Sequence, residues 1–314
     1  MTSDEAFWIE LGRREKLLRD TYHRLKISLQ PGHGMAKALD EAKALAGGIK
    51  AEFSDTSLLD TVKACHTIYA IAGNVEVCLD AGLDISRQLS SMATGTTDYG
   101  TPGSTTDKSI YLKDFEYELF IAASLIRGGL MPQFLDNPSD PMGEMQVKGI
   151  VIECKHPDST GSLRDKVKKF AKKLRESGCF GLFAVAVEDA HHLGDRTVFD
   201  SKSDYNAWLE AKQIELEKSG LELADFAAHR DVVLGLVHTQ TKLAIIAEET
   251  GMMRHSTSTL FDRPDIPEVI MEGARKVARV FNPVPHHFVL PAKASSRKDA
   301  APNGQSASEP IAGD

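Results

Sequence analysis

The run Val147-Lys148-Gly149-Ile150-Val151-Ile152-Glu153-Cys154-Lys155 is β-rich and ends in an acid and a base two positions apart. Side chains alternate along a strand, so Glu153 and Lys155 fall on one face, with Cα atoms about 7 Å apart. Cys154 points to the opposite face, together with Ile150 and Ile152. A hydrophobic core does not need an apolar strand that ends this way. Burying both charges costs several kcal/mol unless they are paired or bind an ion. The same triplet occurs in Glu41-Ala42-Lys43 and Glu210-Ala211-Lys212. Those two lie in Ala/Leu-rich helical stretches, where residues two apart point away from each other. The strand context, rather than the triplet, singles out residue 153.

Two more acids have suitable places. Asp140 sits in the turn-rich segment Asn137-Pro138-Ser139-Asp140-Pro141, 13 residues before Glu153, which leaves room for one tight hairpin. Asp136 and Glu144 compete for the same role. Glu118 lies in a helix read over Leu112 to Arg127, with Ala122, Leu125 and Gly129 following at helical spacing. Those small and apolar positions mark the face that packs on a sheet, where a glutamate calls for a reason.

The elements that must position these groups form an α/β succession. After the helix ending at Gly128-Gly129 come a turn-rich connection over 131–140 and a strand over Val147–Lys155. A helix over Leu163–Glu176 follows, then a fully apolar strand over Phe180–Val187. A helix over Tyr205–Ser219, a third strand over Val232–His238 and a late helix begun by Asp265 and Pro267 complete the reading. Leu163, Val167, Phe170 and Leu174 form the buried stripe of the middle helix. Between Leu163 and Arg175 its other face carries Arg164, Lys166, Lys168, Lys169, Lys172, Lys173 and Arg175 against Asp165 alone. Such a face suits a phosphate backbone, with salt-sensitive affinity.

Around this core, residues 1–92 read as a helical N-terminal region, a scaffold or dimerisation element, so that a homodimer through these helices is the expected self-partner. Residues 93–108 read as a linker or long loop, 109–291 as the main domain and 292–314 as a disordered tail. The 314 residues carry 42% hydrophobic and 26% charged side chains and a formal net charge of −8. This excludes a wholly disordered chain, a collagen and a coiled-coil rod. The acidic balance argues against non-specific coating by nucleic acid but leaves room for a local basic groove. No apolar run reaches the roughly 18 residues of a membrane span, and an acidic N-terminus without an apolar segment predicts no secretory signal. Cys65, Cys78, Cys154 and Cys179 are scattered, as expected of reduced thiols in a cytoplasmic protein. His191-His192 and His286-His287 are adjacent pairs read as loops, without zinc-site spacing. His156, directly after Lys155, is placed to touch a substrate.

Glutamate on a helix, an acid in a turn, Glu-x-Lys on a strand, a basic helix and an apolar strand, in that order, resemble the PD-(D/E)XK nuclease superfamily, the restriction-endonuclease-like fold. Phe115-Glu116-Tyr117-Glu118-Leu119 and Ile152-Glu153-Cys154-Lys155 carry the resemblance, which covers roughly residues 114–188. It implies an αβββαβ core, here with an N-terminal helical region and C-terminal helical additions, and Mg²⁺-dependent endonuclease activity on DNA, with Mn²⁺ as a substitute. Carried over, Asp140 and Glu153 would ligate Mg²⁺, helped by the backbone carbonyl of Cys154. Lys155 would position or deprotonate the attacking water, and Glu118 would be an auxiliary acid. Arg164, Lys168, Lys169 and Lys172 would meet the DNA backbone. The sequence departs from the family pattern in that the proline is not adjacent to the acid: it reads Pro138-Ser139-Asp140. The alternative is a non-catalytic nucleic-acid-binding or regulatory module on the same fold.

Overall fold

A computed structural model describes residues 3–31, 34–47, 55–94, 110–135, 143–157, 160–186, 197–199, 201, 203–208, 210–211, 226–246, 249–261, 263–281 and 286–289. Four helices come first: α1 (Ser3–Arg24), α2 (Gly34–Ala46), α3 (Asp55–Asp80) and α4 (Ser86–Thr94). Then follow α5 (Ile110–Arg127), β1 (Gln133–Phe134), β2 (Met145–Val147), β3 (Ile150–Lys155), α6 (Thr160–Ser177) and β4 (Phe180–Ala186). The described chain continues with β5 (Thr197–Phe199), β6 (Val233–Ile246), β7 (Glu249–Leu260), α7 (Glu268–Val280) and β8 (His286–Val289). No described helix is long and apolar enough to cross a membrane.

The fold is mixed α/β. The sheet order is β1-β2-β3-β4-β6-β7-β8, with β5 also on β6. Strands β1, β2 and β3 form an antiparallel meander. Strand β4 lies parallel to β3, and β6 parallel to β4, the geometry a crossover such as α6 permits.

The strand expected over Val147–Lys155 is two strands. Lys148 (φ 51°) and Gly149 (φ 78°) turn the chain, and Val147 pairs with Ile150 across a hairpin. Positive φ at both central residues is what a two-residue hairpin needs to match strand twist, and glycine supplies it cheaply. The third strand runs on to Ile246, and β7 returns along it. The C-terminal additions are therefore not purely helical: among the described residues they comprise α7, β7 and β8. His286 and His287, expected in a loop, lie in β8, where backbone pairing with β7 is indifferent to side-chain polarity.

Alternation divides the core between the two faces of the sheet. Ile150, Ile152 and Cys154 pack with Leu182, Ala184, Leu234 and Val237 against α5 and α7. Leu11, Leu39, Ile68 and Leu89 of α1 to α4 belong to the same cluster, so the N-terminal helices and the sheet share one core. On the opposite face Val151, Phe183, Val185 and Leu236 meet the expected stripe Leu163, Val167, Phe170 and Leu174 of α6. Each such buried side chain contributes roughly 1.5–3 kcal/mol. Ala93 and Thr94 close α4, and the rest of the expected linker lies outside the described residues, as do 212–219 of the helix expected after Tyr205 and the tail 292–314.

Gly181 fixes how closely α6 approaches the sheet. A Cβ there would lie 2.5 Å from the Phe170 ring and 2.8 Å from the Val151 carbonyl oxygen, so the strand or the helix would have to shift. Gly181→Ala is expected to lower the unfolding free energy by about 1–3 kcal/mol, read from urea denaturation.

Candidate active site

The end of β3 carries a compact charged cluster. Lys155 Nζ lies 2.6 Å from Glu144 Oε1 and 2.9 Å from Glu153 Oε1. One ammonium therefore holds both carboxylates, and their two oxygens are no farther apart than those distances together allow. The hairpin sets this up. The Glu144 backbone N–H donates to the Ile152 carbonyl at 2.9 Å, which places Glu144 against the strand beside Glu153.

Helix α5 adds Glu118, whose Oε2 accepts from Gln88 Nε2 at 3.0 Å and from Arg87 Nη2 at 2.9 Å. The same Arg87 nitrogen donates to Glu144 Oε2 at 3.2 Å. Arg87 and Gln88 both come from α4, so the N-terminal helices reach into the site. One helical turn before Glu118 is Asp114, whose Oδ1 is buried and accepts no hydrogen bond among the described residues.

Burial and neighbouring charge push these groups in different directions. Burial, with Glu144 nearby, raises Glu118 to about 8, against the partial relief of Arg87 and Gln88. Asp114 is also raised by burial, offset in part by His156, Lys155 and Lys166. Burial works on Glu144 in the same sense, but Lys155 and Arg87 outweigh it and hold Glu144 below the usual carboxylate range. Burial disfavours the Lys155 ammonium, yet Glu153 and Glu144 overcome this and raise its pKa. Lys155 is thus held protonated. The Cys154 thiol, buried on the other face, is pushed well up and stays neutral.

Of the residues singled out in the sequence, Glu118, Glu153 and Lys155 are brought together. Glu144, named as a competitor for the first acid, is beside them. Asp140 and Asp136 lie outside the described residues. The Cys154 side chain belongs to the core, which leaves its backbone carbonyl as the only group it has for a metal. His156 is buried, 4% exposed, rather than open to solvent. Arg164, Lys168, Lys169 and Lys172 are exposed along α6, with Lys172 3.6 Å from Glu176, and the exposed Arg175 pairs with Asp231 at 2.6 Å. Sequence reasoning missed Asp114, which the i, i+4 spacing to Glu118 would have flagged. It also missed Arg87 and Gln88, for which no local signal exists.

Among the described residues no three His, Cys, Asp or Glu side chains form a metal-holding group. Mg²⁺ does not need one: it commonly takes one or two carboxylates and completes its octahedron with water and phosphate oxygens. Glu144 and Glu153 gathered at one point, with a buried acceptor of Asp114 on the neighbouring helix, are hard oxygen donors that fit such an ion.

The folded protein keeps the Glu118 proton up to about 8, whereas an unfolded chain releases it near 4.5. The native state therefore binds more protons across that window, and stability falls as pH rises through it. Glu118→Gln removes this loss. Urea denaturation from pH 5 to 8 is expected to show the stability difference between variant and parent moving steadily in the variant's favour. Comparison of the chain with family models, with curated proteins and with solved structures found no match.

Proposed function

We propose that this protein is a metal-dependent nuclease that hydrolyses phosphodiester bonds of DNA on a restriction-endonuclease-like core. One observation carries the reading: Lys155 lies between Glu144 and Glu153 at the end of β3, with Glu118 supplied by the helix ahead. The order of elements supports it, since α5, the meander β1-β2-β3, α6 and the parallel strand β4 follow the αβββαβ succession.

Glu144 and Glu153 would hold Mg²⁺ or Mn²⁺, with the Cys154 carbonyl as a third donor and Asp140 as the other candidate for the first acid. When bound, the ion lowers the pKa of its water and offsets charge on the phosphoryl oxygens. Lys155, held as an ammonium, orients the attacking water and offsets negative charge developing on the phosphoryl oxygens. That role needs no free base, consistent with the raised pKa of Lys155. Glu118 fixes the site from behind through Arg87 and Gln88. On α6, Arg164, Lys168, Lys169 and Lys172 face solvent and suit the sugar-phosphate backbone. A cytoplasmic location goes with this reading, supported by Cys65, Cys78, Cys154 and Cys179 being free thiols.

A second reading, a nucleic-acid-binding or regulatory module without catalysis, draws on one feature. Lys155 is so well paired that the cluster is neutralised by its own residues.

Incubated with DNA and Mg²⁺ or Mn²⁺, the protein is expected to cleave. Lys155→Ala should reduce the rate by about 2.7–4 kcal/mol of transition-state stabilisation, on the order of 10²–10³-fold, followed by gel electrophoresis. Cleavage unaffected by that change would contradict the proposal, and binding without cleavage would favour the module. Charge reversal of Lys168, Lys169 and Lys172 together is expected to weaken DNA binding and flatten its dependence on salt, by about 0.9 in log–log slope for each phosphate that is no longer neutralised. Titrations at several salt concentrations give that slope.

A further inference from the structure

Resting on that reading, we infer that Arg87 is a resident cation of the acid cluster that an incoming divalent metal must displace from Glu144, so that α4 sets the metal concentration at which the site fills. A single nitrogen, Arg87 Nη2, lies 2.9 Å from Glu118 Oε2 and 3.2 Å from Glu144 Oε2. It therefore fills the gap between two carboxyl groups, that of Glu118 on α5 and that of Glu144 just ahead of β2. The bond to Glu144 is the longer of the two.

Lys155 holds the other oxygen of Glu144 at 2.6 Å, so the two cations divide that carboxylate between them. They differ in access. The Arg87 side chain is 40% exposed and enters from the solvent side, while Lys155 is 23% exposed and Glu118 only 5%. Arg87 is thus the cation that can withdraw. Its guanidinium carbon also lies 5.5 Å from the centre of the Phe115 ring, an aromatic face that can hold it once it leaves Glu144.

Electrostatics give the direction of the effect. A guanidinium at this spot repels a divalent ion and competes with it for the oxygens of Glu144, and partial burial keeps that repulsion from being screened as it would be in water. Arg87 therefore opposes metal occupancy while keeping the empty cluster from repelling itself. It acts through Glu144 and Glu118 and is a positioning residue, distinct from Lys155.

The test is Mn²⁺ binding to the full chain, measured by calorimetry and by disappearance of the free-ion electron paramagnetic resonance signal, without DNA. Glu153→Gln marks which binding transition belongs to the site. Arg87→Met is expected to tighten that transition on the order of tenfold, and Arg87→Lys, which keeps the charge, to stay close to the parent. Equal or weaker Mn²⁺ binding by Arg87→Met overturns this inference while leaving the nuclease reading intact. A Lys variant that tightens as much as the Met variant overturns it too, because the effect would then follow from altered packing and not from removal of the charge. No Mn²⁺ bound at the Glu153-dependent site in any of the proteins overturns the nuclease reading and this inference together.

Discussion

The ammonium of Lys155, shared between Glu144 and Glu153 at 2.6 and 2.9 Å, is the interaction on which the rest of the site depends. Three charges in a mostly buried place are tolerable only together. Take away the ammonium and two carboxylates face each other with little solvent between them. Take away a carboxylate and a buried cation loses a partner, a situation that typically costs about 3–5 kcal/mol in proteins. The cluster is therefore a constraint on everything that carries it. The hairpin register, the pitch of α5 and the seat of α4 must all bring their residues to the same few ångströms.

The architecture meets that constraint by fixing each carrier separately. The β2–β3 hairpin is pinned by its two-residue turn, which puts Glu144 against the Ile152 carbonyl. Helix α5 is clamped to the far side of the sheet by polar interactions. Tyr117 donates to Thr239 at 3.0 Å, and Arg254 grips both oxygens of Glu116 at 2.6 and 2.9 Å. These two neighbours of Glu118 leave it little freedom to rotate out of the cluster. The core shared by α1 to α4 with the sheet then seats Arg87 and Gln88. A helical region that looks like inert scaffold in the sequence supplies two of the hydrogen bonds that hold Glu118.

Much of this is legible in the sequence. Strong periodicity marks α5, α6 and α7 and the apolar run of β4, and the alternation of β3 correctly places Glu153 and Lys155 on one face and Cys154 on the other. What escapes does so for identifiable reasons. Lys148-Gly149 sits inside an otherwise β-rich run, so a turn of only two residues is read through. Strand β7 is full of Ser, Thr, His and Arg, because Ser256 and Arg254 direct their polarity to Thr239, Thr241 and Glu116 rather than to water. The choice among the acids is harder. Asp136, Asp140 and Glu144 are all near enough in sequence; the hairpin register brings Glu144 alongside Glu153, and Asp136 and Asp140 lie outside the described residues. Arg87 lies 31 residues from Glu118 and 57 from Glu144, a separation at which no local pattern carries information.

The most direct test of the account is crystallographic: anomalous diffraction from crystals of the protein equilibrated with Mn²⁺. A single strong anomalous peak is expected in contact with the carboxylates of Glu144 and Glu153, with Lys155 still alongside. A peak elsewhere on the chain with this cluster left as a closed set of ion pairs, or no peak at all, would contradict it.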